Sequence, residues 1–272
     1  MMSSCRSAIA PFLGVLGRRV RPRQRRHPQR QLIQSRQGPG ERTHGHDPAP
    51  SAAVALPGDC LRRTVGSVQR YELLTAHERL PARPFTDPER TAADATVMNR
   101  MLRRLRRESQ SWPSLQKSVE MLKYTPGGCR HWLVVPDPAA LEGPRDVTAI
   151  GFFGDLRPGM DHSTIYELET EVVARLGHYS PVGLLGYYDA ELAPAVHGNL
   201  VLFRTHEVPS EWHGDRVHAR AVAIAPHHYS VVRLHRGIIR GALLGQGHLV
   251  IQRTRYFDFS QQPAWQGMRK LG

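Results

Sequence analysis

The chain has 272 residues, 40% of them apolar, which is room for one main domain with a buried core. Its net charge of +13 divides unevenly: residues 1–60 carry ten arginines against Glu41, Asp47 and Asp59, a balance of +7, and the other 212 residues carry +6. Arginine outnumbers lysine 34 to 3, a bias that codon usage alone produces, so the charge does not by itself mark a nucleic-acid binder. The three cysteines, Cys5, Cys60 and Cys129, are odd in number and far apart, which excludes a disulfide framework or a CxxC metal knuckle and favours a reducing compartment.

In chain order, Ser3, Ser4 and Arg6 precede the apolar run Ile9 to Leu16, and six arginines between Arg18 and Arg26 follow with no acid before Glu41. An Arg-rich, Ser-containing, acid-poor stretch has the composition of an organellar transit peptide or of a disordered basic tail. A secretory signal would place its charges before the apolar run, and the run is far shorter than the roughly 20 residues of a membrane span. Gln37 to Ala55 is rich in Gly, Pro, His and Ala and reads as a linker. Residues 1–55 are therefore expected to be a disordered tail or targeting segment. The expected location is cytoplasmic, or mitochondrial if the segment is a transit peptide, with no membrane span.

Residues 56–130 read as a helical N-terminal segment. Asp87 and Pro88 open a helix whose stripe is Val97, Met98, Met101, Leu102 and Leu105, with Arg100, Arg103, Arg104, Arg106 and Arg107 filling most other positions. A second short helix is expected from Ser114, with Leu115, Val119 and Leu122 on one side and Gly127 and Gly128 at its end.

Residues 131–260 read as strand and helix in alternation. His131 to Val135 is a strand or extended lead-in. Val147 to Phe153 is apolar on both faces, with Val147, Ala149 and Phe153 pointing one way and Ile150 and Phe152 the other. A helix follows in which Thr164 and Glu167 have capping-box spacing and Ile165, Leu168, Val172 and Leu176 form the stripe. Asp161, near its start, reads as a cap. Val182 to Tyr188 and Leu200 to Phe203 read as a hairpin joined by the loop Glu191 to Asn199. A second helix is expected from Ser210, kinked at Pro226 and restarted over His227 to Ile239, before a last strand at Leu249 to Ile251. Residues 261–272 read as a tail.

The expected fold is thus α+β: a ferredoxin-like βαββαβ antiparallel sheet with its helices on one face. This element order, with strands apolar on both faces, resembles the dimeric α+β barrel superfamily, in which two such sheets pack face to face. The resemblance covers Asp146 to Phe259, is one of architecture, and carries over no catalytic residue. It implies a homodimer that covers the second sheet face, unless the helices between Asp87 and Tyr124 cover it within one chain.

Recognisable chemistry rests on histidine, of which there are fifteen. Seven fall between His197 and His235, where neutral imidazole can serve as a general base, proton shuttle or ligand. No pair has the i, i+4 spacing of a helical metal site, so no metal is expected. Gly151-x-x-Gly154 and Gly183-x-x-Gly186 lack the rest of a dinucleotide fingerprint and fit close backbone approach in strands. The functional expectation is a small-molecule enzyme or binder with its pocket between sheet and helices. Its candidate residues are His228, Arg233 and His235 on the second helix and Tyr188 on a strand. The cofactor is open, haem on a histidine of the 206–235 region being one to consider. The alternative is a basic RNA-binding or complex-assembly protein that uses the Arg100 to Arg107 helix and the N-terminal arm.

Overall fold

The computed structural model describes residues 71–112, 118–124, 128–143 and 145–271. The expectations for residues 1–55 lie outside these. In chain order the elements are β1 (Glu72–Leu74), a 3-10 turn at Pro84–Thr86, α1 (Pro88–Ser109), β2 (Val119–Tyr124), β3 (Arg130–Val135) and β4 (Arg145–Leu156). Then come α2 (Ser163–Arg175), β5 (Leu184–Ala193), β6 (Val196–Phe203), a short α3 (Ser210–Gly214), α4 (Arg216–His228), β7 (Tyr229–Ala242), β8 (Leu249–Asp258) and β9 (Trp265–Lys270). The class is α+β. One nine-stranded sheet runs β1-β9-β8-β7-β4-β6-β5-β3-β2, antiparallel at every pairing except β1 with β9.

The sheet is covered on both sides. Helix α1 opens with Pro88 at its first position, where the missing N–H costs nothing, and the Asp87 carbonyl accepts from the Arg90 and Thr91 amides. Its stripe, Met98, Met101, Leu102 and Leu105, is buried against Val147, Ala149 and Phe153 of β4, Leu200 and Leu202 of β6 and Ile251 of β8. At ~1.5–3 kcal/mol per buried side chain, those four residues supply on the order of 10 kcal/mol of transfer free energy. The approach is close. A Cβ added at Gly151 would come within 2.6 Å of Met98 Sδ, and one added at Gly198 within 2.7 Å of Leu192 Cδ1. The other side carries a second core, in which Val172 and Val173 of α2 and Trp212 of α3 meet Tyr187 of β5 and Val201 and Phe203 of β6. Helices therefore lie on both faces rather than one, and the face that motivated a dimer is covered by α1 of the same chain.

Several expected elements differ. Tyr229–Ala242 is β7, not a restarted helix. Its buried face carries Arg233, His235 and Gly237 beside Ile239, so the two-residue alternation of a half-buried strand is hidden by polar residues turned inward. Val119–Tyr124 is strand β2, not the second helix; Ser114 to Lys117, where that helix was to begin, is outside the described residues. The supposed tail contains β9, held inside the sheet between β8 and β1, where Arg269 is fully buried and donates to the carbonyls of Thr75, Thr86 and Glu78. The loop from Glu191 to Asn199 is a tight turn at Pro194 and Ala195, with Ala195 at φ 62°. Helix α2 begins at Ser163 with His162, not Asp161, at its N-cap position; Asp161, one residue earlier, accepts from the Ser163 amide, and Thr164 lies within the helix.

Candidate functional site

Helix α4 is fixed at its two ends and stands away from the sheet between them. At its start Asp215 accepts from the Val217 and His218 amides at 2.9 and 3.0 Å and from Arg175 Nε at 2.9 Å. Burial opposes the charge on Asp215, but hydrogen bonds from Tyr179, the two amides and Arg175 overcome it and bring its pKa to about 2. At its end Arg157 donates through Nε and a terminal nitrogen to the Pro226 carbonyl at 3.2 and 3.1 Å, and its amide donates to the His228 carbonyl. Within α4 itself only His228 is fully buried, and Val222 is 59% exposed.

The space beneath is a cavity of about 640 Å³. Its floor is the sheet, with Ile150 and Phe152 of β4, Val201 of β6 and Val232 and Leu234 of β7; Ile165 and Val172 of α2 and Ala221, Val222 and Ala225 of α4 form the walls. That volume and apolar lining suit a small organic ligand.

One end of the cavity is polar. Tyr166 and Glu169 of α2 meet Asp189 of β5 and His197 and Asn199 of β6. Arg130 of β3 donates from one terminal nitrogen to Asp189 Oδ2 at 3.2 Å and to Glu169 Oε2. Burial pushes the Asp189 carboxyl well above the usual carboxylate range, and the neighbouring Glu169 charge, to which it is hydrogen-bonded, pushes the same way; Arg130 only partly offsets them. Two carboxyls this close titrate as a pair, and burial favours the protonated form of Asp189. The remaining Glu169 oxygen, Oε1, is buried and has no hydrogen-bond partner. Tyr166 Oη lies 3.3 Å from His197 Nε2; burial lowers the His197 pKa, so this imidazole is neutral, and burial raises that of Tyr166. This end thus offers two neighbouring carboxyls and a neutral imidazole side by side, the parts of general acid–base chemistry.

Of the four residues singled out from the sequence, only Arg233 and His235 are brought together, on Asp94. Tyr188 lies on the α1 side of the sheet, its hydroxyl 3.1 Å from His131 Nδ1. Arg233 and His235 are on β7 and meet Asp94 of α1: Arg233 Nε donates to Asp94 Oδ2 at 2.6 Å, His235 Nε2 donates to the same oxygen at 2.9 Å, and Thr254 Oγ1 donates to His235 Nδ1 at 2.8 Å. The last three groups repeat the hydroxyl, imidazole, carboxylate connectivity of a nucleophile relay. Thr254, however, is 0% exposed and no substrate reaches it. This is a buried network that ties α1 to the sheet. His228 sits at the end of α4 with its Nδ1 3.4 Å from Nδ1 of His162, whose Nε2 donates to the Arg157 carbonyl. His162 Nδ1 is then the acceptor and His228 Nδ1 the donor.

His235 does not fit an axial haem ligand: it borders the cavity, yet both its ring nitrogens are engaged on the α1 side. His228 is not among the residues that line the cavity. No group of three or more His, Cys, Asp or Glu placed to hold a metal occurs among the described residues. No helix among them is long and apolar enough to cross a membrane. Of the five arginines from Arg100 to Arg107, Arg106 donates to the Leu243 carbonyl at 2.7 Å and Arg104 lies 3.6 Å from Glu108, while Arg100, Arg103 and Arg107 are exposed.

The residues that reading the sequence missed carried a signal. Asp189 interrupts Leu184–Ala190, a run buried on both faces, and Glu169 falls between Ile165 and Val172 on the inward stripe of α2. An acid in such a position is paired or functional. Compared with known protein families, curated proteins and solved structures, the chain matches none.

Proposed function

We propose that the chain binds a small organic molecule in the cavity roofed by α4, with the Glu169 and Asp189 pair as its polar anchor. The observation that carries this reading is Glu169 Oε1: a buried carboxylate oxygen at the polar end of the cavity, left without a hydrogen-bond partner. Such an atom costs free energy unless something donates to it. A ligand hydroxyl, amine or amide N–H meets that need. Asp189, whose burial favours its protonated form, then stands beside the Glu169 carboxyl as a group able to move a proton on that ligand. Carboxyl acid–base chemistry replaces the histidine chemistry anticipated from the sequence. We read β4, α2, β5, β6, α4 and β7, whose strands lie in the order β7-β4-β6-β5, as a ferredoxin-like unit extended by further strands at both edges. The ligand lies under that unit's second helix.

The test is titration of the full chain with N-phenyl-1-naphthylamine, a neutral apolar fluorophore with one N–H. Saturable 1:1 enhancement is expected for the wild type, strong weakening for Glu169→Gln, and loss for Ala221→Trp, which fills the cavity. Equal titrations for the wild type and Ala221→Trp would overturn the reading.

A further inference from the structure

The end of the cavity opposite Glu169 is basic, and its charges are unevenly matched. Arg236 of β7 and Arg253 and Arg255 of β8 line it, and the acid that lines this end, Glu207, is taken by Arg236 at 2.9 Å. Arg255 has no carboxylate partner among the described residues. Its guanidinium lies over the rings of Tyr71 at 4.5 Å and Phe257 at 5.2 Å and donates to the Tyr71 hydroxyl, while its Nε is buried and unpartnered. Burial lowers its pKa. Two aromatic rings hold this fork in one place without neutralising it, the condition of a preformed anion seat.

Arg255 and Asp189, the neighbour of Glu169, lie far apart along one row of the sheet. Arg255 is opposite Leu234, Leu234 opposite Phe152, Phe152 opposite Asn199 and Asn199 opposite Asp189. Four strand spacings of about 4.8 Å put roughly 19 Å between the end Cα atoms, less the reach of the side chains. Between them the floor is apolar at Leu234 and Phe152 and polar only at Asn199, beside Asp189.

We infer that the ligand is an elongated apolar monocarboxylate whose carboxylate is held by Arg255 and whose far end presents a hydrogen-bond donor to Glu169. This rests on the cavity being a ligand site, as proposed above. Binding needs no covalent step: the Arg255 guanidinium donates to a carboxylate oxygen, and the ligand's distal O–H or N–H donates to the Glu169 carboxylate.

The experiment is calorimetric titration of the full chain with decanoate, decan-1-ol and 10-hydroxydecanoate, matched in chain length. In the wild type, decanoate is expected to bind at least about tenfold more tightly than decan-1-ol, and 10-hydroxydecanoate more tightly than either, the size of a charge-assisted hydrogen bond. Arg255→Gln should remove the gap between acid and alcohol, and Arg255→Lys should keep part of it. Decan-1-ol binding as tightly as decanoate to the wild type would overturn the anion seat while leaving the cavity reading in place, and it needs no variant to fold. No binding of any of the three, with N-phenyl-1-naphthylamine also failing to bind, would overturn the cavity reading and this inference with it.

Discussion

Replacing Asp94 by alanine removes the acid that joins α1 to β7. Two hydrogen bonds from Arg233, at 2.6 and 3.3 Å, and one from His235, at 2.9 Å, end on its carboxylate. Burial resists ionisation of Asp94, but those bonds and the Arg233 charge hold its pKa below the usual value, so the group is a carboxylate at neutral pH. Without it Arg233, whose side chain is 4% exposed, keeps only Asp155 at 3.5 Å, an acid itself one-third exposed. Breaking a buried ion pair by removing one partner costs ~3–5 kcal/mol, a large part of the 5–15 kcal/mol that holds a typical domain. Urea unfolding followed by circular dichroism measures this loss. Arg233→Met in the same background should recover part of it, because the stranded charge is then gone. A loss under about 1 kcal/mol for Asp94→Ala, or no recovery in the double variant, would refute a structural role for the network.

Further expectations concern the frame around the cavity. Removing residues 1–117 deletes α1 and bares Phe153, Leu200 and Leu202, so the fragment should be insoluble; a soluble fragment with native near-ultraviolet dichroism would show that another surface covers this face. Gly237→Ala should cost ~1–3 kcal/mol in urea unfolding, since its Cβ would sit 2.6 Å from the Val250 carbonyl oxygen, while Gly151→Ala, meeting the flexible end of Met98, should cost less; the reverse order would contradict the packing described. Burial lowers the pKa of His131, His197, His218, His228 and His235, so the unfolded chain takes up protons first. The stability held above the unfolded value of about 6.5 should fall as pH drops below it, although Asp189, whose pKa is raised, works in the opposite sense. A urea midpoint at pH 5.5 equal to or above that at pH 7.5 would count against this.

What was legible in the sequence follows from which residues obey a simple period. Helix α1 and strand β4 were readable because their buried positions, Met98 to Leu105 and Val147 to Phe153, are apolar but for Thr148 and Gly151. Strand β7 was not, because Arg233 and His235 point inward and are satisfied by Asp94, a residue 139 or more positions away that no local pattern reveals. For the same reason these two looked like site residues: polar groups in an apolar stretch signal function or a buried network, and only the partner decides which. The cavity was legible in outline, as a space between sheet and helices. Its polar end was not, since Arg130, Glu169 and Asp189 come from three elements separated in the chain. The role of β9 was hidden by Arg269, whose burial rests on three backbone carbonyls rather than on an apolar pattern.

The most direct test of the account is a crystal structure of the full chain grown with N-phenyl-1-naphthylamine. The account predicts density for one molecule between Phe152 of the sheet and Ala221 of α4, with its N–H within hydrogen-bonding distance of Glu169 Oε1. Density for the molecule only outside that space, with Glu169 Oε1 still unpartnered, would contradict it.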